Sequence, residues 1–145
     1  MMNVNIRRLD PSIPLPSYHT ADAAGFDLAA SQDMRVEPGA VVLVPTGLVI
    51  QVPPGYFLAI IARSSTPLKR GLMVPNGVGV VDPDYCGAED EIKIEVYNFT
   101  TTAVPIARGD RLAQGLFIPV ARAHWVEPDT HLRDTSRGGF GATGR

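Results

Sequence analysis

Short apolar runs separated by turn residues dominate the chain. They occupy residues 41–44, 47–52, 57–62, 77–81, 91–99 and 111–120. The clearest is Glu91-Ile92-Lys93-Ile94-Glu95-Val96-Tyr97. Its alternation puts Ile92, Ile94 and Val96 toward a core and Lys93 and Glu95 toward water, the period-two signature of a half-buried strand. Glu37-Pro38-Gly39 and Val52-Pro53-Pro54-Gly55 read as turns, each leading into a strand. One short helix is predicted near residues 65–70, where Pro67 is tolerated in the first turn. Short strands at this spacing predict an all-β sandwich or barrel.

Composition narrows the class further. The chain has 145 residues, among them 14 glycines and 13 prolines, and only residues 88–104 form a stretch longer than 12 free of both. Long helices are therefore excluded, and with them bundles and doubly wound α/β folds. The length suits a single core, and a hydrophobic share of 45% with net charge −2 is not that of a disordered chain. No apolar run approaches the ~20 residues of a membrane span, and residues 1–8 lack the apolar centre of a secretory signal. A single cysteine, Cys86, permits no internal disulfide and predicts a cytoplasmic protein. The near-neutral charge argues against a nucleic-acid partner. Residues 129–145 hold only two large apolar groups, Leu132 and Phe140. They are expected to form a C-terminal arm outside a β-domain of residues 1–128, ordering only against something else.

Several chemistries fail on inspection. His19, His124 and His131 have no cysteine or carboxylate partners at metal-ligand spacing. There is no phosphate-loop motif, and the match of residues 139–144 to Gly-x-Gly-x-x-Gly stands at the chain end without strand or helix around it. What remains is a set of polar segments in places a β-core would not choose. Arg63-Ser64-Ser65 follows an apolar strand and offers a guanidinium fork and two hydroxyls, suited to phosphate or, equally, to capping a helix. Residues 137–141, Arg-Gly-Gly-Phe-Gly, combine a second fork, a close-approaching backbone and one aromatic plate. Asn76 to Tyr85 sets glycines inside a β-branched strand and ends it at Asp82, before Pro83, where a carboxylate serves a turn or a site. Residues 24–28 and 108–114 have comparable turn-into-strand readings.

Together and in order, these segments resemble the five motifs of the homotrimeric dUTPases (dUTP pyrophosphatases). Residues 24–30, Ala-Gly-Phe-Asp-Leu-Ala-Ala, are similar to the first and Arg63-Ser64-Ser65 to the second. Residues 79–85, Gly-Val-Val-Asp-Pro-Asp-Tyr, resemble the third, and residues 109–114, Gly-Asp-Arg-Leu-Ala-Gln, the fourth. Residues 137–144 resemble the fifth. The resemblance implies a jelly-roll-like β-barrel, a homotrimer with exchanged C-terminal arms, and sites shared between subunits. It implies hydrolysis of dUTP to dUMP and pyrophosphate, which keeps uracil out of DNA and supplies dUMP for thymidylate synthesis. Asp82 would activate the water that attacks the α-phosphorus. Tyr85 would pack on the deoxyribose, and Asn76 and the backbone through Val81 would read uracil. Ser64, Ser65 and Gln114 would meet phosphates with Arg63 beside them, Arg137 would clamp the γ-phosphate, and Phe140 would stack on the base. Mg²⁺ would ride on phosphate oxygens and water, with Asp27 ordering its water shell or supporting the site.

The chain departs from the family pattern in three places. Cys86-Gly87-Ala88-Glu89-Asp90-Glu91 replaces a shorter Arg-Gly-Glu, Ala142 stands where serine is usual, and Ala62 where glycine or proline is. The nearest rival is a dCTP deaminase of the same fold, alone or bifunctional, since Glu95 occupies a place similar to the deaminase glutamate. Against it, Leu68 stands where that family has arginine. A rival of another class is a catalytically silent dUTP-binding protein, for which an aligned carboxylate is needless.

Overall fold

The computed structural model describes residues 2–139. Among them are eleven strands: β1 (Ile6–Arg8), β2 (Phe26–Ala29), β3 (Met34–Val36), β4 (Val41–Pro45), β5 (Leu48–Ile50), β6 (Tyr56–Ala62), β7 (Leu72–Met73), β8 (Gly79–Val81), β9 (Lys93–Asn98), β10 (Val104–Ile106) and β11 (Arg111–Pro119). A single helical turn of the wide π type, Thr66–Arg70, lies between β6 and β7 and carries proline in its first positions. The six predicted strands and the predicted helix are all present, with ends shifted by a residue or two. The five strands not predicted, β1, β2, β3, β7 and β10, are two to four residues long. That is too short for alternation to register.

Every ladder is antiparallel, and no strand pairs with its immediate neighbour in sequence. The orders are β2-β11-β6-β8, β4-β9-β7, β1-β5 and β10-β3. This is all-β, jelly-roll connectivity, with the wall broken into four sheets rather than closed into one hydrogen-bonded ring. β11 is the spine: Gly115 stands opposite Phe26 on one side and Ile60 on the other. A Cβ there would lie 2.5 Å from the Phe26 ring, so only glycine lets the two strands carry that aromatic between them. The turn at Gly55 needs glycine for a different reason, a φ of +82°.

The core justifies the alternation read above. Ile92, Ile94 and Val96 are 1%, 0% and 0% exposed, and Leu28, Leu58, Leu72 and Leu112 are sealed beside them. Each such aliphatic side chain contributes about 1.5–3 kcal/mol by leaving water. The one amide in this core, Asn98, has no exposure and no unmet bond. Its Nδ2 donates to the carbonyls of Val36 (2.9 Å) and Thr102 (2.8 Å), and its Oδ1 accepts from Thr100. It thereby ties β9 to β3 and to the turn before β10.

After Pro119 the chain leaves the core. Every residue from Val120 to Gly139 is exposed, Trp125 and Leu132 among them at 89% and 90%. Phe140, like Ala142 and Thr143, lies outside the described residues. Among the described residues no helix is long and apolar enough to cross a membrane.

Candidate active site

The sequence-predicted residues gather in two separate places. The first is a cleft of about 370 Å³ beside β8. β8 pairs with β6, Val81 opposite Leu58 and Gly79 opposite Ile60. The hairpin leading into it turns at Gly77, which has a φ of +74° and whose N–H donates to the Val74 carbonyl at 3.0 Å. Asn76 sits at this turn, and Asp82 stands where β8 ends before Pro83. A turn closed by the Tyr85 N–H on the Asp82 carbonyl (3.2 Å) brings the Tyr85 ring to the same cleft. Asn76, Val81, Asp82 and Tyr85 thus line one cleft, together with Glu91 and Glu95. The Asp82 carboxylate is exposed and forms no ion pair among the described residues. A carboxylate without an ion-pair partner is open to accept a hydrogen bond from water.

The second place is a polar cleft of about 390 Å³ lined by Arg63, Ser65, Lys69, Arg70 and Arg111. The buried Thr66 hydroxyl donates to the Leu112 carbonyl at 2.6 Å and fixes the helical turn on β11. Ser65 occupies the N-cap position, yet its side chain caps nothing, which removes the capping explanation for that hydroxyl. Ser64 is exposed beside it. Arg63 and Arg111 converge on Asp27: Arg63 Nε forms an ion pair with Oδ1 and Arg111 Nη1 donates to Oδ2, both at 2.9 Å, with the Asp27 side chain only 13% exposed. The extra residue in β11 between Arg111 and Ala113 is the bulge that lets Leu112 stay buried while Arg111 reaches Asp27. Gln114 is half-buried on β11, directly opposite Asp27.

A second ion pair braces this cleft. Arg70 Nη1 donates to Asp110 Oδ2 at 2.6 Å, and the same oxygen accepts the Ala107 N–H at 2.9 Å. The hydrogen bond from Arg70 is the main reason the Asp110 carboxyl is held below its ordinary range, and Asp110 in turn raises Arg70. The sequence reading did not single out Lys69, Arg70 or Arg111 individually. Arg111 lay inside the fourth motif, but the Arg70–Asp110 bond spans 40 residues and leaves no local trace.

The two clefts share no lining residue, and Arg137 lines neither. Among the described residues no group of three or more His, Cys, Asp or Glu is placed to hold a metal. Asp27 and Asp110, the carboxylates beside the cations, are already paired with guanidinium groups. The oxygen donors present therefore suit an Mg²⁺ that is carried by phosphate oxygens and water, not one caged by side chains.

Comparison with known proteins gives one answer. The family model of the dUTPases matches residues 11–144. A deoxyuridine 5′-triphosphate nucleotidohydrolase of Methylocella silvestris is 43% identical over 151 residues, covering 99% of this chain and 92% of the relative. The crystal structure of the dUTPase of Streptococcus mutans superposes with a TM-score of 0.77 at 34% identity, over 86% of this chain and all of that one. The dUTPase of Staphylococcus bacteriophage 80alpha with dUPNHPP reaches a TM-score of 0.86 over the whole of both chains, at 19% identity. Resemblance in motifs, agreement in fold and nearly end-to-end similarity meet in the same place, and the chain belongs to the dUTPase family.

Proposed function

We propose that the protein hydrolyses dUTP to dUMP and pyrophosphate, withholding uracil from DNA synthesis and supplying dUMP, and that it does so as a homotrimer in the cytoplasm. The observation that carries the shared site is the division of the chemistry between two clefts. Among the described residues, one chain presents the unpaired Asp82 carboxylate in the hairpin cleft and the cations Arg63, Lys69, Arg70 and Arg111 in another. A complete site then needs the hairpin cleft of one protomer against the cationic cleft of a second. Closed symmetric assembly supplies such a pairing at every interface.

In this reading Asn76 and the backbone of β8 through Val81 read the uracil edge, and Tyr85 lies against the deoxyribose. Asp82 takes a proton from water as its oxygen bonds to the α-phosphorus. The α–β phosphoanhydride bond breaks, and pyrophosphate leaves. Ser64, Ser65 and Gln114 bind phosphate oxygens, while Asp27 holds Arg63 and Arg111 in place beside them. Mg²⁺ supplies charge neutralisation on the phosphates when bound. Residues 129–145 form an arm that reaches another protomer's site, bringing Arg137 to the γ-phosphate and Phe140 to the base. The exposure of residues 120–139 supports an arm with no seat on its own chain. Alignment, charge neutralisation and exclusion of water are the ingredients that phosphoryl chemistry requires.

The test is an assay of dUTP, dCTP, dTTP and UTP that scores pyrophosphate and ammonia separately. Pyrophosphate from dUTP alone is expected. Ammonia from dCTP would give Glu95, which shares the hairpin cleft, the leading role instead. Binding of dUTP without any product would leave only a nucleotide-binding protein.

A further inference from the structure

The Tyr85 ring is 41% exposed and takes part in none of the aromatic pairs among the described residues. No stacked aromatic partner among the described residues sets its angle. The hydrogen bond that orients it runs from its hydroxyl to the Glu91 carbonyl oxygen, at 3.2 Å, across the mouth of the 86–90 loop. That acceptor is itself held. Glu91 Oε1 accepts the Gly47 N–H at 2.6 Å. The Ile92 N–H donates to the Leu48 carbonyl at 2.8 Å, and the buried Thr46 hydroxyl to the Ile92 carbonyl at 2.6 Å. Gly47 has a φ of +70°, and a Cβ there would lie 2.0 Å from Ile13, so the donor position admits only glycine. The loop between the two ends is closed by Asp90 Oδ2 on the Gly87 N–H (2.6 Å) and by the Arg7 guanidinium on the Ala88 carbonyl.

We infer that Glu91 is a positioning residue for sugar selection: anchored on Gly47, it fixes the carbonyl that holds the Tyr85 hydroxyl, and so fixes the ring that discriminates 2′-deoxyribo- from ribonucleoside triphosphates. This rests on the reading of Tyr85 as the surface under the sugar. A ring free to tilt leaves room for a 2′-hydroxyl. A braced one does not.

The experiment compares kcat/KM for dUTP and UTP in the full-length protein and in Tyr85→Phe, Glu91→Ala, Glu91→Gln and Tyr85→Ala. Loss of one net hydrogen bond is expected to raise the UTP-to-dUTP ratio about fivefold in Tyr85→Phe and Glu91→Ala. The double variant Tyr85→Phe/Glu91→Ala should go no further than either alone, because both cut the same chain. Glu91→Gln keeps an oxygen for Gly47 and is expected to restore the wild-type ratio. Tyr85→Phe deletes one exposed oxygen and keeps the test open should Glu91→Ala fail to fold. If Tyr85→Ala shifts the ratio while Tyr85→Phe and Glu91→Ala leave it unchanged, the brace is wrong. If Tyr85→Ala leaves the ratio unchanged, the sugar reading of Tyr85 falls with it.

Discussion

A site divided between protomers can be tested by mixing two damaged proteins. Asp82→Asn removes the base from the hairpin cleft, and Ser64→Ala removes a hydroxyl from the neighbourhood of the cationic one. Neither change disturbs folding, because both side chains are exposed and neither is tied to another described residue by an ion pair. A lost base lowers turnover by about two orders of magnitude or more. A lost hydrogen bond to a charged phosphate costs about 1.5–3 kcal/mol, roughly tenfold to a hundredfold. The two variants are unfolded, mixed in equal amounts and refolded, and pyrophosphate release is compared with that of each alone. If every site draws Asp82 from one protomer and Ser64 from another, random assembly leaves about a quarter of sites free of both substitutions. Activity should then recover to about a quarter of wild type, well above either parent. A site confined to one chain always carries one lesion, and recovery no greater than the parents' average would refute the division.

Three further outcomes follow from the same geometry. Asp82→Asn alone should bind a non-hydrolysable dUTP analogue with near wild-type affinity in calorimetry while kcat collapses; an equal loss of affinity would deny Asp82 its chemical role. Truncation after Thr130 should leave the assembly unchanged in sedimentation yet cripple kcat, and a truncated protein with normal turnover would dismiss the arm. Asp110 gives a pH signature: its carboxyl is lowered by Arg70, so its stabilisation is present at neutral pH and is lost as pH falls below the ordinary value of 3.8 toward its own. The melting temperature of Asp110→Asn should lie below wild type at pH 7, and the gap should close in acid. A gap that persists unchanged below pH 3 would show that the ion pair contributes nothing.

Legibility followed contiguity. Asn76, Val81, Asp82 and Tyr85 sit within one ten-residue segment, so a resemblance carried by that segment named them together, and all four line the hairpin cleft. β9 was equally plain, since six residues of strict alternation mirror the physical pleat. The cationic cleft was legible only in pieces. Arg63, Arg111 and Asp27 come from three strand ends far apart in sequence, and nothing in their immediate neighbours announces a shared carboxylate. Asp27 was expected either to order a metal's water shell or to support the site, and what the structure shows of it is the pairing with two arginines. The serine reading was left between a cap and a phosphate ligand, and only the backbone geometry at Ser65 separates them. The short strands escaped because their pairing partners, not their own residues, make them strands.

The guanidinium pair around Asp27 has an effect beyond the contact distance. Arg70 and Asp110 cancel one another, but Arg63, Lys69 and Arg111 face a single compensating carboxylate, so the cleft keeps a surplus of positive charge on a chain whose net charge is −2. A polyanion diffusing past an otherwise faintly repellent surface is drawn to one spot. That pull reaches only about 8 Å in physiological electrolyte. Capture of the substrate, more than the bond-breaking step, should therefore slow as ionic strength rises.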